Sequence, residues 1–454
     1  MTDTTTSPAT LAEAVITARE AACLTQEDLA ERSGVSVRAI RNLETGHTSR
    51  PRKQSLVLIA RALGLPPGEV GRLVRRPLAG GHREPPGPVP AELPAAPRQR
   101  LAGRAAHVGS LRAHLSAARP DGLGRPAVVV GPPGAGKTSL VLEAAHGVRG
   151  RFPDGQVHVD LHPGSAAAPL TPDELVRRVL RSLGTAPGVD RPEEAGARLR
   201  DALSRRRVLV VLDNVDSEAQ VRPLLVDGAR SAVLVAARRE LPALTGQLRR
   251  RIGALSEWES FQVLEDLLGA ARTRAERDCA LSVVRSCARL PLALHIAGLW
   301  LSARPHRSLR DLADRLEPEQ DRLRFLHIGD LSLQASVAAC FGVLPAPARA
   351  ALQRLRTVRG AFGVEEMTTH VTPSRGLAAD LLDELLDRQM IHADTATEDG
   401  RARYRVHEAV RQYVAYCPTG SCRTGTATGQ VWLPRQAGGA RTAGGVRDQR
   451  RGPG

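Results

Sequence analysis

Lysine is almost missing from this chain. Of the 64 Lys and Arg residues only Lys53 and Lys137 are lysine, so nearly every permanent positive charge sits on an arginine fork. Aromatic side chains make up 2% of the 454 residues, which leaves Leu, Val and Ala to fill any core. The six cysteines (Cys23, Cys279, Cys287, Cys340, Cys417 and Cys422) include no C-x-x-C pair. That spacing argues against a zinc ribbon or a thioredoxin-type motif and fits a reduced, cytoplasmic protein. No signal-peptide pattern is seen, and no apolar run approaches the roughly 18 residues of a membrane span, so no membrane partner is expected.

What is present is charge and apolar mass. The formal net charge is +16, which suits a polyanionic partner such as nucleic acid, although a generally arginine-rich composition gives the same figure. A hydrophobic fraction of 42% is ample for buried cores, and the length leaves room for about three domains at roughly 150 residues each.

The chain is organised around Val128-Val-Val-Gly-Pro-Pro-Gly-Ala-Gly-Lys-Thr-Ser139. A β-branched run enters Gly131-x-x-x-x-Gly136-Lys137-Thr138, and Leu140-Val-Leu142 follows, which is the strand, loop and helix that a phosphate-binding loop requires. Gly131, Gly134 and Gly136 let successive N–H groups turn toward a phosphate, and the N-terminus of the helix, from Lys137 through Ser139, adds partial positive charge. Lys137 is expected to reach the β- and γ-phosphates, and the Thr138 hydroxyl to ligate Mg²⁺. A compact ammonium survives here where a planar guanidinium would not fit.

Toward the N-terminus, residues 11–22 read as a helix. Thr25 is a good N-cap with Asp28 three residues on, Gly34 ends that helix, and Ser36 caps a second one with Val37, Ile40 and Leu43 inward. The outward face of this second helix carries Ser36, Arg38, Arg41 and Asn42, side chains that read guanine and adenine edges, while Gln26 is expected on a phosphate. A closing helix is expected over 55–63. The residues Leu24-Thr-Gln-Glu-Asp-Leu-Ala30, Gly34-Val-Ser36 and Asn42-Leu-Glu-x-Gly46 resemble the XRE/Cro-type helix-turn-helix family, which implies sequence-specific binding of double-stranded DNA, often as a dimer.

Downstream of a Pro/Gly-rich linker, Gln156-Val-His-Val-Asp-Leu161 alternates like a strand, and 171–183 reads as a helix capped by Thr171 with Pro172 at its first position. Arg207-Val-Leu-Val-Val-Leu-Asp213 is a buried parallel strand with Asp213 at its C-terminal end, where a carboxylate orients Mg²⁺ and its waters. A further buried strand, 231–237, leads to Arg238, placed to sense a γ-phosphate. These pieces, in this order, resemble the NB-ARC family of signal-transducing P-loop NTPases. The resemblance implies that Gly103 and Arg104 lie on the adenine side, that Pro291 of Arg289-Leu-Pro-Leu-Ala-Leu294 lines the nucleotide, and that His407 of Tyr404-Arg-Val-His407 contacts the β-phosphate of ADP. Departures from the family pattern matter too: Asn214 stands where many NTPases carry a second carboxylate, so hydrolysis should be slow, and Arg289 replaces a glycine.

The fold expected is therefore multidomain: an all-α helix-turn-helix, an α/β P-loop NTPase with a parallel sheet, then a helical lid and a winged helix. The expected boundaries are a disordered start at 1–9, the DNA reader at 10–76, a linker at 77–99, the nucleotide domain at 100–254, the lid at 255–320, the winged helix at 321–416 and a disordered tail at 417–454. The resemblance stops mid-helix where that tail begins, as a shifted or truncated reading frame would make it. Lid helices are expected over 258–268, 275–287 and 291–301, winged-helix ones over 331–341, 347–355 and 378–389, and a hairpin over 390–407. The leading expectation is a transcriptional regulator switched by ADP and ATP, with Mg²⁺, that self-associates when active. A STAND-type ATPase in defence or signalling, and a truncated inactive homologue, stay open as alternatives.

Overall fold

The computed structural model describes residues 11–45, 53–65, 89–96, 101–117, 126–162, 169–185, 191–226, 229–394 and 401–416. The chain splits into two compact units, one made of 1–89 with 183–186, the other of 90–182 with 187–454. The expected disordered start and tail lie outside the described residues, as does most of the expected linker.

The first unit holds helices α1 (Leu11–Ala21), α2 (Gln26–Ser33), α3 (Val37–Glu44) and α4 (Lys53–Ala62). Thr25 and Asp28 form a full capping box at the start of α2, and Gly34 ends it in the left-handed region at φ +69°, which a β-carbon would disfavour. That turn swings α3 so that Ile40 and Leu43 meet Val15, Leu29, Leu56 and Ile59 in one small core. Beside the core, Arg19 and the buried Glu44 form an ion pair at 2.7 Å.

The second unit is built on a five-stranded parallel sheet in the order β2-β3-β4-β1-β5, with β1 at Ala127–Val130, β2 at Gln156–Asp160, β3 at Leu209–Val215, β4 at Ala232–Ala237 and β5 at Leu248–Arg251. Central β1 and β4 are buried at every residue, the signature of strands covered on both faces. Helices α5 (Ala105–Ser116) and α6 (Lys137–Val148) close one face through Leu111, Leu115, Leu140 and Val141. Helices α7 (Pro172–Ser182) and α8 (Pro192–Arg205) complete this part, with Thr171 capping α7 as expected.

Three expectations need correction here. The strand holding Asp213 continues to Val215, because Asn214 takes φ +58° and makes an irregularity that lets pairing with β4 resume at Ala237. Strand β5 was not foreseen: its Leu-Arg-Arg-Arg sequence has no apolar run, and as an edge strand it needs none. The last part of the expected linker is ordered against the sheet. Gln156 N donates to Pro90 O at 2.7 Å, Glu92 N donates to Gln156 O at 3.0 Å, and Glu92 pairs with Arg178 of α7. Residues 90–92 thus pair with the first residue of the outer strand β2.

Beyond the sheet the chain is helical: α9 (Glu257–Leu268), α10 (Ala270–Ala275), α11 (Arg277–Ser286), α12 (Pro291–Ser302), α13 (Leu309–Leu316) and α14 (Glu319–Phe325). The expected helix 275–287 is broken at Glu276, whose backbone leaves the helical region at ψ 45°. Strands β6 (His327–Ile328) and β7 (Leu331–Ser332) pair, so the helix expected from 331 begins only at Leu333, capped by Ser332. After α15 (Leu333–Gly342) come α16 (Ala346–Leu355), α17 (Val364–His370) and α18 (Arg375–Asp387), then the antiparallel hairpin β8 (Ile391–Ala393) and β9 (Tyr404–Val406), then α19 (Glu408–Tyr416). Phe362 and Tyr404 exchange backbone hydrogen bonds, adding a short third strand between α16 and α17. Three helices, an inserted strand and a wing hairpin make a winged helix. The scarce aromatics gather in this helical region: Trp300 on Phe325, Phe341 on Tyr413, and Phe362 near Tyr404. No helix among the described residues is long and apolar enough to cross a membrane.

Candidate functional site

The glycine loop folds as its spacing predicts, and each glycine has a separate reason. A β-carbon on Gly131 would lie 2.2 Å from the Ile252 carbonyl oxygen, so the loop can cross the end of β5 only with hydrogen there. Gly134 and Gly136 take φ +78° and +87°, the left-handed turns that aim the following amides into the loop. The Lys137 ammonium donates to Gly131 O at 2.7 Å and to Pro132 O at 3.0 Å. Burial holds its pKa below the ordinary lysine value.

Across the sheet, Thr138 Oγ1 donates to Asp213 Oδ2 at 2.8 Å. Asp213 is buried, its other oxygen accepts from Asn214 N at 2.9 Å, and burial raises its pKa. A hydroxyl and a carboxylate side by side are hard oxygen ligands of the kind Mg²⁺ takes alongside phosphates. The residues present therefore fit a magnesium-bound nucleotide.

Asp160, which the sequence reading passed over, stands in register with Asp213 on the neighbouring strand. Its Oδ1 accepts from Asn214 Nδ2 at 2.8 Å and from His162 N at 2.9 Å. Asn214 Oδ1 in turn accepts from Arg238 Nε at 3.2 Å, and Arg238 Nη1 donates to Ala339 O of α15 at 3.3 Å. The sequence shows an apolar strand leading into each of Asp160 and Asp213, but not the register that sets the two side by side.

A cavity of about 850 Å³ opens beside the glycine loop. Gly134, Lys137, Thr138, Ser139, Asn214 and Arg238 line its polar end, and Leu101, Leu255, Val263, Pro291 and Leu292 its apolar end. Gly103 has φ +65°, and a β-carbon there would meet the Glu259 carboxylate at 2.3 Å. The buried Arg104 guanidinium lines the cavity but is spent on carbonyls, donating to Gly253 O and Ala135 O, and burial lowers its pKa. Pro291 starts α12 against Gly136, and Leu292 N donates to Gly134 O at 3.2 Å. Ser336, Ala339 and Cys340 of α15 complete the wall, and the Leu333 side chain packs over Gly134.

His407 lies beside the glycine loop. It lines an adjoining cavity of about 700 Å³, with Pro132, Pro133, Arg289 and Arg322, and not the larger one. Its half-buried ring lies against that of His392, tilted by 35°. Burial first, then His392 and the Lys137 charge, push its pKa down to about 3. The imidazole therefore stands within electrostatic reach of Lys137.

In the first unit, Ser36, Arg38, Arg41 and Asn42 are exposed along α3, as the sequence predicts. Ser36 Oγ is occupied in capping, accepting from Ala39 N at 3.3 Å. Gln26, expected on a phosphate, is half-buried: its Nε2 donates to Glu44 at 2.7 Å, and its Oε1 accepts from Arg41 Nε at 3.4 Å. It thus ties α2 to the exposed helix through the Arg19–Glu44 pair.

Comparison with known proteins agrees with this geometry. The helix-turn-helix family profile matches residues 15–70, and an AAA domain profile matches residues 122–229. The chain is 36% identical over 338 residues to the regulatory protein AfsR of Streptomyces griseus, covering 72% of this chain and 33% of that protein. To AfsR of Streptomyces coelicolor it is 37% identical over 349 residues, covering 74% and 34% respectively. The chain thus spans about a third of the length of these curated relatives. Among solved structures, a Walker-type ATPase of Pyrococcus abyssi aligns at 12% identity and a TM-score of 0.46, over 71% of this chain and 98% of its own. Nucleotide binding follows from the P-loop domain, and DNA binding from the helix-turn-helix.

Proposed function

We propose that this chain, a helix-turn-helix protein with a P-loop NTPase domain and homologous to the AfsR regulatory proteins, is a transcriptional regulator whose DNA binding is switched by adenine nucleotide. One observation carries the reading. The winged-helix side of the molecule touches the glycine loop and the β4 exit directly, through Leu333 on Gly134 and Arg238 on Ala339. Whatever fills the polar end of the cavity competes with those contacts. Two nucleotides that differ by one phosphate then favour two arrangements unequally, which is what an equilibrium switch requires.

In this reading Lys137 holds the phosphates and Thr138 and Asp213 hold Mg²⁺. Arg238 reads the terminal phosphate, and Pro291 and the apolar wall near Gly103 and Arg104 receive the base. His407 monitors the loop from the adjoining cavity. Bound Mg²⁺ neutralises phosphate charge; the chain's own groups orient the phosphates and exclude water. Arg38, Arg41 and Asn42 read the operator, and release of the winged helix frees the protein to self-associate. Gel-shift titration against a selected operator, with ADP, with ATP and with neither, tests the switch. Equal affinity in all three, or an identical response in Lys137→Ala, rejects it.

A second reading, an ATPase working by turnover, is favoured by the Thr138–Asp213 pair. Rapid, Lys137-dependent phosphate release in steady state would support it over the switch.

A further inference from the structure

Asn214 looked like the loss of a carboxylate, yet its surroundings call for an amide. On one side stands Asp160, which only accepts hydrogen bonds; on the other stands Arg238, which only donates them. A carboxamide is the group that donates to the first and accepts from the second, and this pairing fixes which way its oxygen points. A carboxylate at 214 would face Asp160 at hydrogen-bond distance with like charge, beside a third carboxylate at Asp213. Asparagine also tolerates the φ of +58° better than most side chains.

From this we infer that Asp160 is a positioning residue for the phosphate end of the cavity: it acts through the Asn214 amide to hold the Arg238 guanidinium at the mouth of β4. The chain of contacts is short and anchored at both ends. Asp160 is fixed by the His162 amide and by its place in the sheet, in register with Asp213. Asn214 is fixed by its own backbone bond to Asp213. Among the described residues the Arg238 guanidinium has two hydrogen-bond partners, Asn214 on the sheet and Ala339 on α15, and a third phosphate must be recognised by drawing it from the second while the first keeps it in place. The role of Asp160 is therefore in telling ATP from ADP rather than in holding nucleotide, which Lys137 and the loop amides do. This inference rests on the nucleotide reading above.

The test is the ratio of ATP to ADP affinity, measured on the full chain with fluorescent N-methylanthraniloyl derivatives of both nucleotides in the presence of Mg²⁺. Asp160→Leu, which cannot accept a hydrogen bond, is expected to change that ratio roughly tenfold, the scale of one lost hydrogen bond to a charged group. Asp160→Asn keeps an acceptor and should preserve the ratio. Because Asp160 works through Arg238, Asp160→Leu combined with Arg238→Ala should look like Arg238→Ala alone. A merely structural role would weaken both nucleotides equally and leave the ratio unmoved, which overturns the inference, as do additive effects in the double variant. Should Asp160→Leu not fold, Asn214→Asp serves: alone it disturbs the ratio, and adding Asp160→Asn restores a carboxylate–amide pair and the ratio with it. Failure of that rescue also overturns the idea. If the wild-type chain binds neither nucleotide, the nucleotide reading itself falls; if it binds both through Lys137 and only the ratio is insensitive, this inference alone is lost.

Discussion

The rings of His392 and His407 lie 4.7 Å apart, inclined at 35°, between the wing hairpin and the glycine loop. Burial lowers the pKa of both, and for His407 the His392 ring and the Lys137 charge add to that effect.

The sign of the pH effect follows. His407 is depressed to about 3 in the packed state, from an ordinary value of 6.5, with burial the largest cause. The packed arrangement binds fewer protons than the released one, so its stability is fully present above pH 6.5 and is lost progressively as pH falls from there toward 3. Thermal melts between pH 8 and 5 should show the midpoint falling below about pH 6.5, with a shallower slope in His407→Phe.

Ala288 and Arg289 both hold left-handed backbone, at φ +50° and +56°, where glycine is at ease. The Arg289 carbonyl is held by Leu255 N at 2.9 Å, so the turn cannot relax. Arg289→Gly should stabilise the second unit by about 0.5–1 kcal/mol, the left-handed penalty less the added entropy of the unfolded glycine. Urea melts check this; a loss of stability means that the side chain does more than endure the strain.

At Gly131 the opposite holds. Gly131→Ala drives a methyl into the Ile252 carbonyl and should cost about 1–3 kcal/mol while abolishing nucleotide binding. Gly150→Ala, with open space around the new carbon, is the control and should be silent by melting and by nucleotide titration.

In the first unit, Arg19→Met leaves Glu44 buried with its ion-pair partner gone, and about 3 kcal/mol of stability should be lost there. Hydrogen exchange in α2 and α3 is the readout.

Arg38, exposed on α3, does something different from Arg19. Arg38→Ala should weaken binding to a selected operator by about 1–3 kcal/mol and non-specific DNA far less, by fluorescence anisotropy at fixed salt. Equal losses on both would make it a phosphate contact.

Much of this was legible in the chain because local chemistry and burial agree. The runs Val128-Val-Val130 and Leu209-Val-Val-Leu212 can only be buried strands, and Gly131 through Thr138 can only follow one of them. Thr25 and Ser36 mark helix starts by side-chain hydrogen bonds within three residues, and Gly34 marks a helix end by its left-handed backbone. What escaped was set by partners distant in sequence. Strand β5 exists because β1 had a free edge, and nothing in Leu-Arg-Arg-Arg says so. Asp160 matters because of its register with Asp213, which no local pattern states. His407 follows the wing hairpin, which sets its ring beside Pro132 and Pro133 of the loop, a placement its motif does not spell out.

Strand β4 is hydrogen-bonded along both edges, to β3 and to β1, and is followed at once by Arg238, Arg239 and Glu240. All three reach the winged-helix side: Arg238 to Ala339, Arg239 to Asp387 at 3.7 Å, and Glu240 N to Asp387 O at 2.8 Å. Mechanically, a ribbon clamped on both edges is the stiff member of such a joint and the helices abutting its tip are the compliant one. Under the switch proposed above, a push at that tip would pass to α15 and α18 as whole helices rather than be absorbed by the sheet.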